Sequence, residues 1–211
     1  MPRRQSLASE SGNALVAWVQ GAARTLAIGV NDRPPSRPFG RTPEKARRTA
    51  RPTLVWKASN EIWGAASYQV LIDDQPAGAP TLDTKLAVPV DIAEGQHRWT
   101  IRATDRRGQV VDSKSRRLWI DTAAPRVRKV SIAGDRKPGV LQKARVSATD
   151  GATGVGSGIA RTTVDWGDRS RPSTTRTASH RYRRAGKFTV KVTVTDKAGN
   201  RAVKRVKITL R

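Results

Sequence analysis

Phe188-Thr189-Val190-Lys191-Val192-Thr193-Val194-Thr195 alternates apolar and polar residues without a break. Successive side chains of a strand point to opposite faces, so Phe188, Val190, Val192 and Val194 share one face and the polar residues share the other. The run therefore predicts a strand with one face in a core and one in water. A second run, Arg98-Trp99-Thr100-Ile101-Arg102-Ala103-Thr104, has the same period and turns Trp99, Ile101 and Ala103 inward, which makes Trp99 a core residue rather than a ligand-stacking ring.

The two runs belong to an internal repeat with an offset of 91 residues: Gly95 matches Gly186, Ile101 matches Val192, Thr104-Asp105 matches Thr195-Asp196, and Gly108 matches Gly199. Each copy ends in Thr-Asp-x-x-Gly, where Asp can bond its own backbone to start a turn and Gly supplies the positive φ that closes it. Both turns are predicted to be hairpins. A closing strand follows each, Arg117-Leu118-Trp119-Ile120 in the first copy and Val206-Lys207-Ile208-Thr209-Leu210 in the second, the latter with Val206, Ile208 and Leu210 on one face. Helical periodicity is absent almost throughout. The pattern predicts an all-β chain of two tandem immunoglobulin-like sandwiches, over residues 51–123 and 124–211.

Asp121-Thr122-Ala123-Ala124-Pro125 forms the joint between the copies, since Pro ends a strand ladder. Upstream, residues 31–51 carry Pro34-Pro35, Pro38 and Pro43 among arginines and read as an extended linker without core content. Before that, Ala14–Val19 and Thr25–Val30 predict a β-hairpin, which is marginal alone and needs a neighbour. Residues 1–50 are thus expected to be a partial β-repeat followed by a linker.

The chain has 211 residues, 41 Lys+Arg against 17 Asp+Glu, a net charge of +24 and no cysteine. Without cysteine there is no disulfide, thiolate zinc site or cysteine nucleophile. Apolar stretches of about six residues, such as Ala14–Val19, fall far short of the ~20 needed for a membrane-spanning helix. Met1-Pro2-Arg3-Arg4 imitates the start of a signal peptide, but Ser9-Glu10-Ser11-Gly12-Asn13 interrupts before an apolar segment develops, so no export signal is read in this chain. Of the basic residues 29 are Arg. A GC-rich coding sequence produces that bias, and about half of the excess is assigned to such background; the remaining field still favours polyanions.

The positive residues cluster on predicted outward faces. Arg98 and Arg102 share a strand, Arg116 and Arg117 lie on the strand that closes the first sandwich, and Lys191 is joined by Lys204, Arg205 and Lys207 in the second. Like charges opposed on neighbouring strands are destabilising, so such stripes call for a reason. A polyanion is the candidate partner: acidic cell-wall polymer, acidic polysaccharide, or DNA bound non-specifically. No nucleic-acid recognition motif is visible, and Trp63 and Trp119 are the candidate surface rings, Trp119 alternatively packing at the joint. No catalytic constellation is read: His97 and His180 sit in different copies, and His180 reads as a strand residue rather than a general base. Two distant His cannot make a zinc site. Gly154-Val155-Gly156-Ser157-Gly158 reads as a flexible loop, because a phosphate loop needs a following helix. Asp150, Asp165, Asp168 and Asp196 are calcium-type oxygen donors on loops of the second sandwich, but no loop concentrates them, so no metal and no cofactor is assigned.

Val164-Asp165-Trp166-Gly167-Asp168, His180-Arg181-Tyr182, and Gly186-Lys187-Phe188-Thr189-Val190 through Thr195-Asp196-Lys197-Ala198-Gly199-Asn200 resemble the PKD domain family over about residues 126–211. The resemblance implies a compact immunoglobulin-like sandwich whose structural motif residues are Trp166, Gly167, Asp168, His180, Tyr182, Gly186, Asp196 and Gly199. Arg169 departs from it, standing where the family has Gly; a positive-φ turn there would strain an arginine. Residues 51–122 resemble bacterial immunoglobulin-like or fibronectin type III-like modules, with Tyr68-Gln69-Val70-Leu71-Ile72-Asp73, Glu94-Gly95-Gln96-His97 and Asp121-Thr122-Ala123-Ala124-Pro125 as the matching phrases. Residues 12–40 are similar to one unit of the propeller-like repeats that precede such modules in large secreted proteins of high-GC bacteria. Together these imply non-catalytic spacer, adhesion or ligand-presenting modules at the cell surface or outside the cell, monomeric within a longer polypeptide whose export signal lies upstream. The other role they imply is the accessory end of a secreted hydrolase.

Overall fold

The computed structural model describes residues 34–59, 67–152 and 155–211, together with the backbone of strands within 5–31 and at 65–66. Trp63 and Gly154 lie outside the described residues. Every regular element among those described is a strand. Among the described residues no helix is long and apolar enough to cross a membrane.

The N-terminal strands β1 (Gln5–Ala8), β2 (Ala14–Gln20) and β3 (Thr25–Asn31) form an antiparallel sheet with β2 in the middle. The predicted hairpin therefore gains β1 as its neighbour, from residues in which no element was expected. The Pro- and Arg-rich stretch also departs from the linker reading. It supplies two short strands, β4 (Phe39–Gly40) and β5 (Ala46–Arg47), and buries Pro35, Pro38 and Ala46. Proline is excluded only from central strand positions, and flanking two-residue edge strands it costs no ladder bond.

The first copy continues with β6 (Thr53–Lys57), β7 (Ala65–Ile72), β8 (Gln75–Pro76), β9 (Lys85–Ala87), β10 (Gly95–Asp105), β11 (Val110–Asp112) and β12 (Arg116–Ile120). One sheet runs β4-β6-β9; the other runs β5-β12-β10-β7-β8, with β11 also paired to β10. Trp99, Ile101 and Ala103 are buried and Arg98 and Arg102 exposed, as the alternation requires. Trp56 packs edge-on against Tyr68, with ring centroids 5.8 Å apart. Gly40 is held to its size: a Cβ there would lie 2.9 Å from the Trp99 ring and 2.6 Å from Arg116 Cδ. The hairpin turn after β10 leads into the short strand β11, and the closing strand β12 follows that hairpin.

The second copy has β13 (Arg126–Ala133), β14 (Leu141–Thr149), β15 (Ile159–Asp165), β16 (Thr177–Arg181), β17 (Gly186–Asp196) and β18 (Arg201–Leu210). They form two sheets, β13-β14-β16 and β15-β17-β18. Phe188, Val190, Val192 and Val194 of β17 are buried with Ile208 and Leu210 of β18, and Ala144, Val146 and Ala178 face them from the other sheet. Removing each large aliphatic side chain from water contributes about 1.5–3 kcal/mol, which makes this interleaved layer the main source of the module's stability. By packing, residues 1–43, 51–90 and 98–117 form one compact unit and residues 44–50, 91–97 and 118–211 another.

Candidate functional site

The predicted basic faces are only partly available. Arg102 is tied to Asp112 by two hydrogen bonds of 2.9 Å, from Nε and Nη2, and that pairing holds the Asp112 carboxyl below its ordinary value. Arg116 is half-buried, donates to the Gly40 carbonyl at 2.6 Å and lies over the Phe39 ring. Arg98 and Arg117 remain exposed. In the second module Lys191 stands between Asp165 on β15 and Arg205 on β18, while Lys207 stands opposite Thr189. Lys204 pairs with Val192, on the other side of the strand from Arg205 and Lys207.

A tighter basic cluster surrounds the end of the second sandwich that carries Trp166-Gly167-Asp168. Asp165 Oδ1 accepts the Gly167 N–H at 3.0 Å, starting a turn in which Gly167 takes φ 77°. A Cβ on Gly167 would come within 2.4 Å of the Thr189 carbonyl oxygen, so no other residue fits. Arg169 follows at φ 68°, the left-handed conformation that the sequence flagged as strained. Asp168 Oδ2 lies 2.7 Å from His180 Nε2, and its Oδ1 accepts both the Ser170 hydroxyl and the Ser170 N–H. Burial pushes the Asp168 carboxyl up, but the Ser170 and His180 hydrogen bonds together hold it below its ordinary value. His180 stacks on Trp166 and meets Tyr182 edge-on, and the buried Tyr182 hydroxyl donates to the Trp166 carbonyl at 2.8 Å. A cavity of about 610 Å³ opens over these groups, ringed by Arg169, Arg181, Arg183 and Arg184.

This geometry has a definite chemical limit. A hydrolytic triad needs the nucleophile's hydroxyl on the imidazole and the carboxylate on the far ring nitrogen. Here the Ser170 hydroxyl donates to Asp168 instead, so the hydroxyl and the imidazole compete for one carboxylate. The arrangement braces a turn. Of the four arginines that line the cavity, Arg181 already donates from Nη1 to the Gly139 carbonyl at 2.6 Å; guanidinium groups as a class suit carboxylate, sulfate or phosphate oxygens. Sequence reading missed this ring, although Arg181, Arg183 and Arg184 flank the motif residue Tyr182.

The calcium-type donors separate into two groups. Asp165 and Asp168 close the turn just described. Asp150 and Asp196 come together with Asp121, a residue that the sequence suggested only as part of the joint. Asp121 Oδ2 accepts the Ser157 N–H at 2.7 Å and Asp150 Oδ2 the Gly158 N–H at 2.6 Å. The glycine-rich loop is thus tied to two carboxylates, which corrects its reading as merely flexible. Asp196 Oδ1 accepts the N–H groups of Gly199 and Asn200. Burial first, and then the charges of Asp121 and Asp196, raise the Asp150 carboxyl above its ordinary value. Trp119, a candidate surface ring, donates its indole N–H to the Val155 carbonyl.

The fold and these motifs define a class of protein, the immunoglobulin-like and fibronectin type III-like β-sandwich modules. Residues 124–210 match the family model of the PKD domain. Domains of these classes are generally non-catalytic modules of extracellular proteins. Among solved structures the chain is similar to the fibronectin(III)-like modules of Clostridium thermocellum CbhA, at 12% identity and TM-score 0.52, covering 82% of this chain and 94% of that one. It is similar to titin domains A168–A170 at 11% identity and TM-score 0.50, covering 98% and 82%. The PKD1 domain of Vibrio anguillarum Epp aligns at 24% identity and TM-score 0.36, over 42% of this chain and 95% of that domain. No curated protein matches the chain.

Proposed function

We propose that the chain is a non-catalytic display segment of a protein that works outside the cell or at its surface, its sandwiches serving as spacer, adhesion or ligand-presenting modules. The observation that carries this reading is the Asp168 carboxylate, which takes the Ser170 hydroxyl and the His180 ring into the bracing of a turn, so that this histidine does not activate this serine. The test is an assay of the full chain against ester, peptide and glycoside substrates. Turnover at the level of buffer is expected; turnover that His180→Gln abolishes would contradict it.

A second reading, attachment to an anionic polymer, is favoured by Arg169, Arg181, Arg183 and Arg184 around one cavity. Retention on heparin, DNA and anionic cell-wall polymer across a salt series reads it out, since each neutralised phosphate contributes about −0.9 to the slope of log affinity against log salt on duplex DNA. An R183A/R184A variant should flatten that slope by about two on DNA if the ring is the binding site. Negligible retention of the unmodified chain near physiological salt removes this reading and leaves display alone.

A further inference from the structure

The register of β15, β17 and β18 sets the outer face of their sheet row by row. Phe188, Val190, Val192 and Val194 point into the core, so the odd-numbered residues of β17 point out, each beside the residues directly opposite it on the neighbouring strands. Arg161, Thr195 and Arg201 make one row and Asp165, Lys191 and Arg205 another, while Lys207 lies beside Thr189 and Thr209 beside Lys187. Arg161, Lys187, Lys191, Arg201, Arg205 and Lys207 are all exposed. From Lys187 to Thr195 the face runs roughly 26 Å, at about 3.3 Å per residue. The acid on it, Asp165, accepts the Gly167 N–H.

Among the described residues none of these basic side chains makes a hydrogen bond or an ion pair. The first copy treats its outward cation differently: Arg102 of β10 stands opposite Asp112 of β11 and is tied to it. In the second copy the register sets Lys191 directly opposite Arg205, and like charges so placed are destabilising. An anion lying between them removes that penalty. Thr163, Thr189, Thr193, Thr195 and Thr209 fill places between the cations, and each hydroxyl can both donate and accept. Among the described residues no aromatic ring lies on this face, so a nucleobase has nothing to stack on. The chemistry that fits is a chain in which anionic groups alternate with hydroxyls.

We propose that the outer face of β15, β17 and β18 binds an extended acidic polysaccharide, its carboxylate or sulfate groups on the basic side chains around Lys191 and Arg205 and its sugar hydroxyls on the threonines. It rests on the attachment reading only in needing an anionic partner. None of its residues lines the cavity of the arginine ring, and it does not use Lys204, which faces the other side of β18.

The test is calorimetric titration of the full chain with polygalacturonate, heparin and oligothymidylate of matched charge, from about 50 mM salt upward. At least one polysaccharide should bind, polygalacturonate reporting carboxylate recognition and heparin sulfate recognition, and oligothymidylate should bind more weakly than that polysaccharide. K191Q/R205Q removes the opposed pair at two exposed positions; it should lower polysaccharide affinity about tenfold and flatten its salt dependence. Lys204→Gln and R183A/R184A, acting through the screened field alone, should each cost less than about threefold. R201Q/K207Q replaces K191Q/R205Q if circular dichroism shows that the latter fails to fold. No binding of either polysaccharide, an unchanged affinity in K191Q/R205Q, or tighter binding of oligothymidylate overturns the proposal. A loss in R183A/R184A that equals or exceeds the loss in K191Q/R205Q overturns it too, but puts the anion on the arginine ring, so that the attachment reading outlives it.

Discussion

The turn at Asp105 and the turn at Asp196 have the same sequence pattern and nearly the same hydrogen bonds, but different surroundings. Asp105 Oδ1 accepts the N–H groups of Arg107 and Gln109; Asp196 Oδ1 accepts those of Gly199 and Asn200. Gly108 and Gly199 both take positive φ, at 82° and 100°. In both turns the second aspartate oxygen is buried without a hydrogen-bond partner. Only Asp196, among the described residues, sits in a group of three converging acidic or metal-ligating side chains. A repeated motif therefore fixes a repeated turn, and whether the turn also forms part of a site depends on residues far away in sequence.

Glycine substitutions have the largest effects, first in a turn peculiar to the second copy and then in the two turns that match. Gly167→Ala forces a Cβ onto the Thr189 carbonyl and should cost about 3 kcal/mol or more in a denaturant melt. Gly108→Ala and Gly199→Ala meet nothing within 4 Å, so each should cost only the left-handed backbone penalty of about 1–2 kcal/mol, and by equal amounts. Unequal costs would show that the two turns are not the same structure.

Removing the aspartates probes what differs. Asp105→Ala strands two N–H groups and should cost about 1–3 kcal/mol. Asp196→Ala strands the same number but relieves repulsion from Asp121 and Asp150, so it should cost distinctly less; equal losses would argue against the cluster. Smaller effects come from Arg169 and Asp168 in the Gly167 turn, which has no counterpart in the first copy. Arg169→Gly should stabilise by about 0.5–1 kcal/mol, the left-handed strain relieved less the added freedom of the unfolded chain. Because the Asp168 carboxyl is lowered on folding, its contribution is present above pH 3.8 and is lost as pH falls through the lower folded value. Asp168→Asn should remove that part of the acid limb from a pH series of melts.

The strands were legible where one face is buried and the other wet. Phe188 to Val194 alternates because a core layer on one side and water on the other impose a period of two, and the structure buries the predicted face. The positive φ at Arg169 was legible too, from an arginine in the place of a turn glycine. Strand β11 was not, because three residues between turns carry too short a pattern. Nor was the fate of Arg116, whose partner carbonyl at Gly40 is 76 residues away. Asp121 looked like a joint residue for the same reason: its bond to Ser157 spans 36 residues, and no local pattern records such convergence.

Denaturant melts of Asp105→Ala and Asp196→Ala, set beside the unmodified chain, address the contrast between the two turns most directly. The predicted result is a loss of about 1–3 kcal/mol for Asp105→Ala and a distinctly smaller loss for Asp196→Ala, because only the latter relieves repulsion among converging carboxylates. Equal losses, or a larger loss for Asp196→Ala, would contradict it.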